Sequence, residues 1–489
     1  MLFFNFVCQV EPRDWAKLEP ESSMENGDRK VSQTVTNKKM ISKNSIFLIS
    51  VVLASVTVEV EASDSLTLTK APSNEKNRDF TWRQQAIQKL WEERKAMGHT
   101  PLRKFPIPGM PDVDLIFKDE SVTKIGSLKF RFGWALFMWA LLEGHIDQNT
   151  TVYEASSGNT AICESYMTKL IGVPFVAVVP DYTEDTKVNH IKEYGGKVLK
   201  ADIAARFGKA ALEAEKNHGF YMNQFANAHR AEEFHESGNG ELESVNVMHE
   251  IVQQLKSQNL KEPDFFIHAA GTGGTISSVG RYVQKYNLDT KVIMADPEFS
   301  IYYDYVINGK FMNESGASLW KTPGMAGIGF GYAGPAILGQ TSSLQPSVVN
   351  GAFKLPDIAS TASMHVLREY GISGGTSTGM NFLASLSLAA KERSKKSQGP
   401  LRIVTLLGDP GTVYESSYYN ISWIKQKFDF HGGLPVFDCW KDVIRNSFTK
   451  GSDPLAVGSE LCSKEAVKDS ASRRSKRETN FSAKFRSVL

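Results

Sequence analysis

Residues 151–179 read TVYEASSGNTAICESYMTKLIGVPFVAVV, and the order of apolar and polar segments within them decides the fold. A short apolar run ends in five small hydrogen-bonding residues, Ser156 to Thr160. An amphipathic stretch follows to Ile171, Gly172 closes it, and a second apolar run covers Phe175–Val179. Strand, loop, helix, strand is the unit that joins parallel neighbours, because antiparallel strands need only a tight turn. The pattern predicts a strand over 150–155, a helix over 160–171 and a strand over 175–179.

The same alternation continues outward. Helical spacing covers 185–194 up to Gly195-Gly196, a strand is expected over 198–201, and a helix from 204 to about 217. Further along come a strand over 264–269, a helix over 276–286 and strands over 292–295 and 401–407. Strands alternating with helices imply an α/β protein whose parallel-rich sheets are covered on both faces. Upstream, Trp82, Ala86, Leu90 and Trp91 share one helical face, a proline-rich connector runs from Pro101 to Pro111, and a short strand surrounds Leu115–Lys118. Phe130–Glu143 is so apolar that it must be buried, either in the core or against another subunit.

The ends differ from this body. Residues 1–79 read as a leader, and Ser45–Val58 (SIFLISVVLASVTV) has the length of a signal-peptide core rather than of a membrane span. Lys38, Lys39 and Lys43 precede it, Val60-Glu61-Ala62 resembles a cleavage site, and Met40 would start such a signal over 40–62. A disordered leader with a chance apolar run fits the same residues, so entry into the secretory pathway and a cytoplasmic location both stay open. Membrane association would require that 45–58 be retained. The sequons at Asn149, Asn313, Asn420 and Asn480 permit secretion without arguing for it. After about Leu434 periodicity is lost, so 434–489 reads as a poorly ordered tail with a solvated basic run, SASRRSKRE.

The bulk numbers exclude some classes. With 41% hydrophobic and 22% charged residues and a net charge of +2, the chain gives no electrostatic case for a nucleic-acid partner. Cys8, Cys163, Cys439 and Cys462 are too scattered for a zinc site, and no metal-ligand set is expected. Cys439 and Cys462 could pair or remain thiols.

Three motifs carry chemistry. In GSLKFRF, 126–132, Lys129 enters the apolar helix, where partial dehydration would favour a neutral, nucleophilic amine; a snorkelling surface lysine is the plainer alternative. In EASSGNTA, 154–161, a strand end feeding a helix aims backbone N–H groups at one spot and suits a carboxylate or phosphate, unless Asn159 or Thr160 is simply a helix cap. In AAGTGGTISSVG, 269–280, Gly271, Gly273 and Gly274 let amides approach a phosphate. Ile276 breaks the dinucleotide fingerprint and no P-loop lysine follows, so one phosphate fits better than a nucleotide. A lysine, a carboxylate cradle and a phosphate cup together suggest pyridoxal 5′-phosphate acting on an amino acid.

Over roughly 80–429 these segments, in this order, resemble the fold-type II pyridoxal-phosphate enzymes, the cysteine synthase and cystathionine β-synthase family. SLKFR and YEASSGNTA are closest to its cysteine desulfhydrase branch. The resemblance implies a fold like the tryptophan synthase β-subunit, with two domains: 80–240, holding the Schiff-base lysine and substrate loop, and 241–433, holding the phosphate cup. It implies that Lys129 carries the cofactor and moves protons. Asn159 would meet the ring hydroxyl, and Gly271, Thr272, Gly273, Gly274 and Thr275 the phosphate. Ser156, Ser157, Thr160 and Gln224 would hold the substrate carboxylate, while Gly327–Gly331 and Gly371–Gly379 would line the far side. The implied reaction is β-elimination of L-cysteine to sulfide, pyruvate and ammonia in a homodimer. Cysteine synthase-type replacement and a non-catalytic relative are the alternatives. One departure stands out: the family's serine or threonine beside the pyridine nitrogen falls on Pro410 in LGDPGTVY, so Thr412 or water would have to substitute.

Overall fold

The computed structural model describes residues 74–464, apart from 234–245, 310 and 312–314. The proposed signal segment 40–62 and the basic run 470–478 lie outside the described residues. Among those described, no helix is long and apolar enough to cross a membrane.

Among the described residues ten strands form two sheets. Numbered along the chain they are β1 (Leu102–Phe105), β2 (Val113–Asp119), β3 (Val152–Glu154), β4 (Phe175–Pro180), β5 (Lys197–Ala201), β6 (Phe220–Tyr221), β7 (Phe265–Ala269), β8 (Lys291–Pro297), β9 (Gly351–Leu355) and β10 (Leu401–Leu407). The larger sheet has the order β1-β2-β10-β7-β8-β9 and the smaller β5-β4-β3-β6. Only β1 runs antiparallel, pairing Leu102 with Lys118. The parallel-rich α/β architecture expected from the alternation is what the chain adopts. In the opening stretch, Val152 pairs with Phe175 and Glu154 with Ala177 across β3 and β4, and the connecting helix is Asn159–Ile171.

The sheets do not follow the order of the sequence. β1 and β2 lie before residue 240, yet β2 pairs along its length with β10, from Leu401↔Val113 to Leu407↔Asp119. One core cluster fills a face of the large sheet beneath the helices Asp357–Glu369, Thr376–Glu392 and Gly433–Lys450; a second covers its other face beneath Val247–Ser257 and Gly274–Lys285. A third surrounds the helix Lys129–Leu142, in which every residue from Phe130 to Leu141 is buried within the chain. Burial on all sides assigns that helix to the core.

The C-terminal region corrects the reading of a poorly ordered tail. Gly433–Lys450 is a helix whose Val436, Phe437, Trp440, Val443, Ile444 and Phe448 are buried against the large sheet. Cys439 and Cys462 are paired, and buried Cys462 joins the same core.

A buried charge cluster docks the Lys129–Leu142 helix onto the large sheet. Arg131 Nε donates to Glu120 Oε2 (2.7 Å), and its Nη1 donates to Glu250 Oε1 (2.5 Å). Lys118 at the end of β2 also donates to Glu250, at 2.9 Å. Despite its burial, Glu250 is held down to about 2, because Arg131 and Lys118 outweigh the loss of water. Two cations thus face two carboxylates with water excluded. Removing one partner leaves an uncompensated buried charge, so Glu250→Ala should cost about 3–5 kcal/mol in chemical denaturation. Because this pKa is depressed, the stabilisation is full above the unfolded value near 4.3 and should fade as pH drops toward 2.

Candidate active site

The site collects at the carboxyl ends of parallel strands, where loops leave the sheet and helices begin. β7 and β10 are neighbours in the large sheet, and β3 supplies the loop from the small one. After β7 the chain enters the glycine cup. Gly273 takes φ +87° as the cap of the helix Gly274–Lys285, a conformation L side chains rarely adopt. A Cβ at Gly271 would come within 2.3 Å of the Gly327 carbonyl, so the cup packs directly on the Gly327–Gly331 loop. Gly274 N–H donates to Thr272 Oγ1 at 3.3 Å within the cup, and first-turn amides at a helix start, backed by a tight glycine turn, suit an anion such as a phosphate.

Lys129 is the first residue of its helix and is half-buried. The preceding residue fixes it to the sheet, with Leu128 N–H donating to Gly408 O just past β10 (2.8 Å). The Lys129 ammonium lies 5.0 Å from the centroid of the Phe132 ring. Its charge acts on Asp409, Glu164, Cys163 and His268, so four buried groups from three directions face it. Burial, with Lys129 adding to it, lowers His268 to about 3, which keeps the imidazole neutral.

The segment 154–161 is not a side-chain helix cap. Gly158 occupies the cap position of Asn159–Ile171 with no side-chain cap hydrogen bond. Asn159 instead turns its amide across the site, Nδ2 donating to Asp409 Oδ2 at 2.8 Å. Thr160 Oγ1 donates to Gln224 Oε1 at 2.7 Å, bringing those two residues together. Ser156 Oγ accepts from Gly158 N–H at 3.3 Å within the loop, and Ser157 is half-buried beside it.

Three acidic residues escaped the sequence reading. Asp409, next to Pro410, is buried and accepts from Tyr414 Oη at 2.8 Å as well as from Asn159. Burial pushes its carboxyl up, against the pull of those two hydrogen bonds. Thr412, the substitute weighed for Pro410, is exposed. The far-side segments close around the same aspartate: Gly375 N–H donates to Asp409 O (3.1 Å), and Thr376 Oγ1 donates to Ala326 O (2.8 Å).

Glu154 and Glu164 are both fully buried. Glu154 Oε1 accepts from Ala155 N–H (2.7 Å) and its Oε2 from Gln224 N–H (2.9 Å). It therefore ties the start of the substrate loop to the helix that carries Gln224. Glu164 faces it from the Asn159–Ile171 helix. Burial raises Glu154 to about 7, and burial plus the Glu154 charge raises Glu164 well above the carboxylate range. Burial and the Glu154 charge thus favour a protonated Glu164, while the two N–H donors favour the charged form of Glu154.

A scan of known families matches residues 94–409 to the pyridoxal-phosphate dependent enzymes. The chain belongs to that family, in its fold-type II class. A Caenorhabditis elegans protein described only as pyridoxal-phosphate dependent is 51% identical over 388 residues, 78% of this chain and 89% of that one. The L-cysteine desulfhydrase Cds1 of Mycobacterium tuberculosis is 32% identical over 350 residues, 70% of this chain and 90% of its own. The crystal structure of a hydrogen sulfide-producing enzyme from Fusobacterium nucleatum shares the fold at a TM-score of 0.55 and 23% identity, covering 68% of this chain and 92% of that one. The family's cofactor is pyridoxal phosphate, and the residues present fit it: a cup too tight for side chains, a half-buried lysine, and an amide and carboxylate between them.

The protonated Glu164 gives a pH signature. A raised carboxylate pKa makes stability fall as pH climbs from the unfolded value near 4.3 through the folded one. Glu164→Gln keeps a donor toward Glu154 but removes the second ionisation. Between pH 5.5 and 8.5 the variant's Tm should drop less than that of the wild type; parallel curves would show that Glu164 is not held protonated.

Proposed function

We propose that this chain is an L-cysteine desulfhydrase, converting cysteine and water to sulfide, pyruvate and ammonia. The observation that carries the reading is Lys129 held at a helix start opposite the Asn159–Asp409 contact, a placement suited to proton transfer beside a bound ring. The identity with the mycobacterial desulfhydrase supports this reaction over others of the family.

Ser156, Ser157, Thr160 and Gln224 bind the substrate carboxylate, and the Thr160–Gln224 hydrogen bond presets their spacing. Glu154 holds the two segments together from behind. Bound pyridoxal phosphate supplies the sink for the electron pair left on Cα. Lys129 takes the Cα proton on Nζ. The C–S bond breaks with its electron pair on sulfur, which leaves as sulfide. Water then completes the three-carbon fragment to pyruvate and ammonia. Asp409 Oδ2 anchors Asn159 and presents an acceptor on the side of the site where Pro410 has none. Buried His268 and Cys163 stay uncharged around the lysine and limit the field it feels.

Purified protein given L-cysteine alone should release sulfide and pyruvate in equal amounts. Lys129→Ala should lower kcat by about 10²–10⁴-fold. Sulfide appearing only when a second thiol is supplied would assign β-replacement instead.

A further inference from the structure

Away from this site, three segments of the large sheet's surroundings bring potential metal ligands together. Glu298 directly follows β8, Asp357 opens the helix Asp357–Glu369 after β9, and His431 ends the turn before the helix Gly433–Lys450. One ligand atom from each lies within 4.8 Å of the other two. We propose that Glu298, Asp357 and His431 form a binding site for a divalent transition-metal ion, zinc or manganese, that ties the C-terminal helix to the end of β8.

The second observation pointing to a ligand is the state of Asp357. Its side chain is fully buried, and neither carboxylate oxygen has a hydrogen-bond partner. Buried polar groups are almost always paired, so two orphaned oxygens on one aspartate call for a missing partner. His431 adds a third orphan, since its Nε2 is buried without a partner. The existing contacts converge on Glu298 Oε1, which accepts from Asp357 N–H at 3.0 Å and lies 3.3 Å from His431 Nδ1.

Charge points the same way. Fully buried Asp296, at the end of β8, adds a third acidic group that acts on Asp357, and its Oδ1 is also unpartnered. Two lysines are near: Lys354 Nζ pairs with Asp304 at 3.6 Å, Lys321 Nζ lies 4.9 Å from the Phe299 ring centroid, and the charges of both also act on Glu298. Among the described residues no cationic side chain forms an ion pair with Asp357. Three carboxyl groups gathered away from water need protons or a cation, and a cation would also meet the orphaned Asp357 oxygens. His431 offers a ring nitrogen to such an ion.

One imidazole with two carboxylates suits zinc or manganese better than the all-oxygen shells of calcium and magnesium. The expected role is structural. Ser300, two residues beyond Glu298, accepts from Phe330 N–H at 3.0 Å, and the Gly327–Gly331 loop reaches the cup at Gly271. An ion here would therefore brace the wall behind the phosphate cup.

The test is equilibrium dialysis of metal-stripped, full-length protein carrying its cofactor, against zinc and separately manganese. Wild type should bind one equivalent that Asp357→Asn and His431→Gln each weaken at least about tenfold. Zinc should raise the wild-type Tm by a few degrees and leave both variants unmoved. Asp357→Asn is isosteric and removes a buried charge, so without metal its Tm should equal or exceed that of the wild type, which separates lost binding from lost folding. Uptake of neither ion by wild type, or equal affinity in wild type and variants, would overturn the proposal.

Discussion

The structure depends on one buried guanidinium. Arg131 lies two residues into the helix that begins with Lys129 and grips Glu120 from the β2 end and Glu250 from the helix Val247–Ser257. An arginine cannot shed its charge when dehydrated, so its partners must be present and correctly aimed for the helix to dock at all. That requirement sets the rotation of Lys129–Leu142 about its own axis, which hydrophobic packing alone would leave loose because the helix is apolar on every side. With Arg131 turned toward the large sheet, the lysine one place before Phe130 is left at the mouth of the site. The Leu128–Gly408 hydrogen bond then fixes its height against β10.

Around that lysine the chain arranges carboxyl groups rather than cations. Asp409 is hydrogen-bonded and exposed to the charge of Lys129, while Glu164 is kept neutral by its neighbour Glu154. The two play different parts because their surroundings differ: Asp409 accepts from two donors, whereas both Glu164 oxygens are buried without one. Glu154 in turn converts the end of β3 into a brace for the substrate loop. In the run of small residues that follows it, Asn159 reaches across to Asp409 and Thr160 to Gln224.

How much of this was legible in the sequence varies with the physics of each part. Period and punctuation placed β3, β4, β5, β7, β8 and β10 and the helices at 159–171, 185–193, 206–216 and 274–285, since a strand–helix alternation with glycine stops has few other solutions. The helices 247–257, 357–369 and 376–392 escaped that signal, as did β1 within the proline-rich connector, two-residue β6 and β9. The three motifs led to the cup, the lysine and the loop because glycine, lysine and serine advertise their chemistry. Asp409 did not, because attention to the missing hydroxyl at Pro410 passed over the carboxylate beside it. Glu154 and Glu164 read as a strand end and one polar residue of a helix; only their mutual burial reveals the pair. The C-terminal helix was legible in principle, since Val436, Trp440, Val443 and Phe448 follow a helical face, but the motif order ended before it.

The central claim is that the cofactor is carried on Lys129 within the frame set by Arg131 and Asp409. Peptide mass spectrometry after borohydride reduction of the yellow holoprotein tests it most directly. The account predicts a single pyridoxyl adduct, on the peptide containing Lys129, and none in Lys129→Ala. An adduct on another lysine, or a protein that stays colourless after incubation with pyridoxal phosphate, would contradict it.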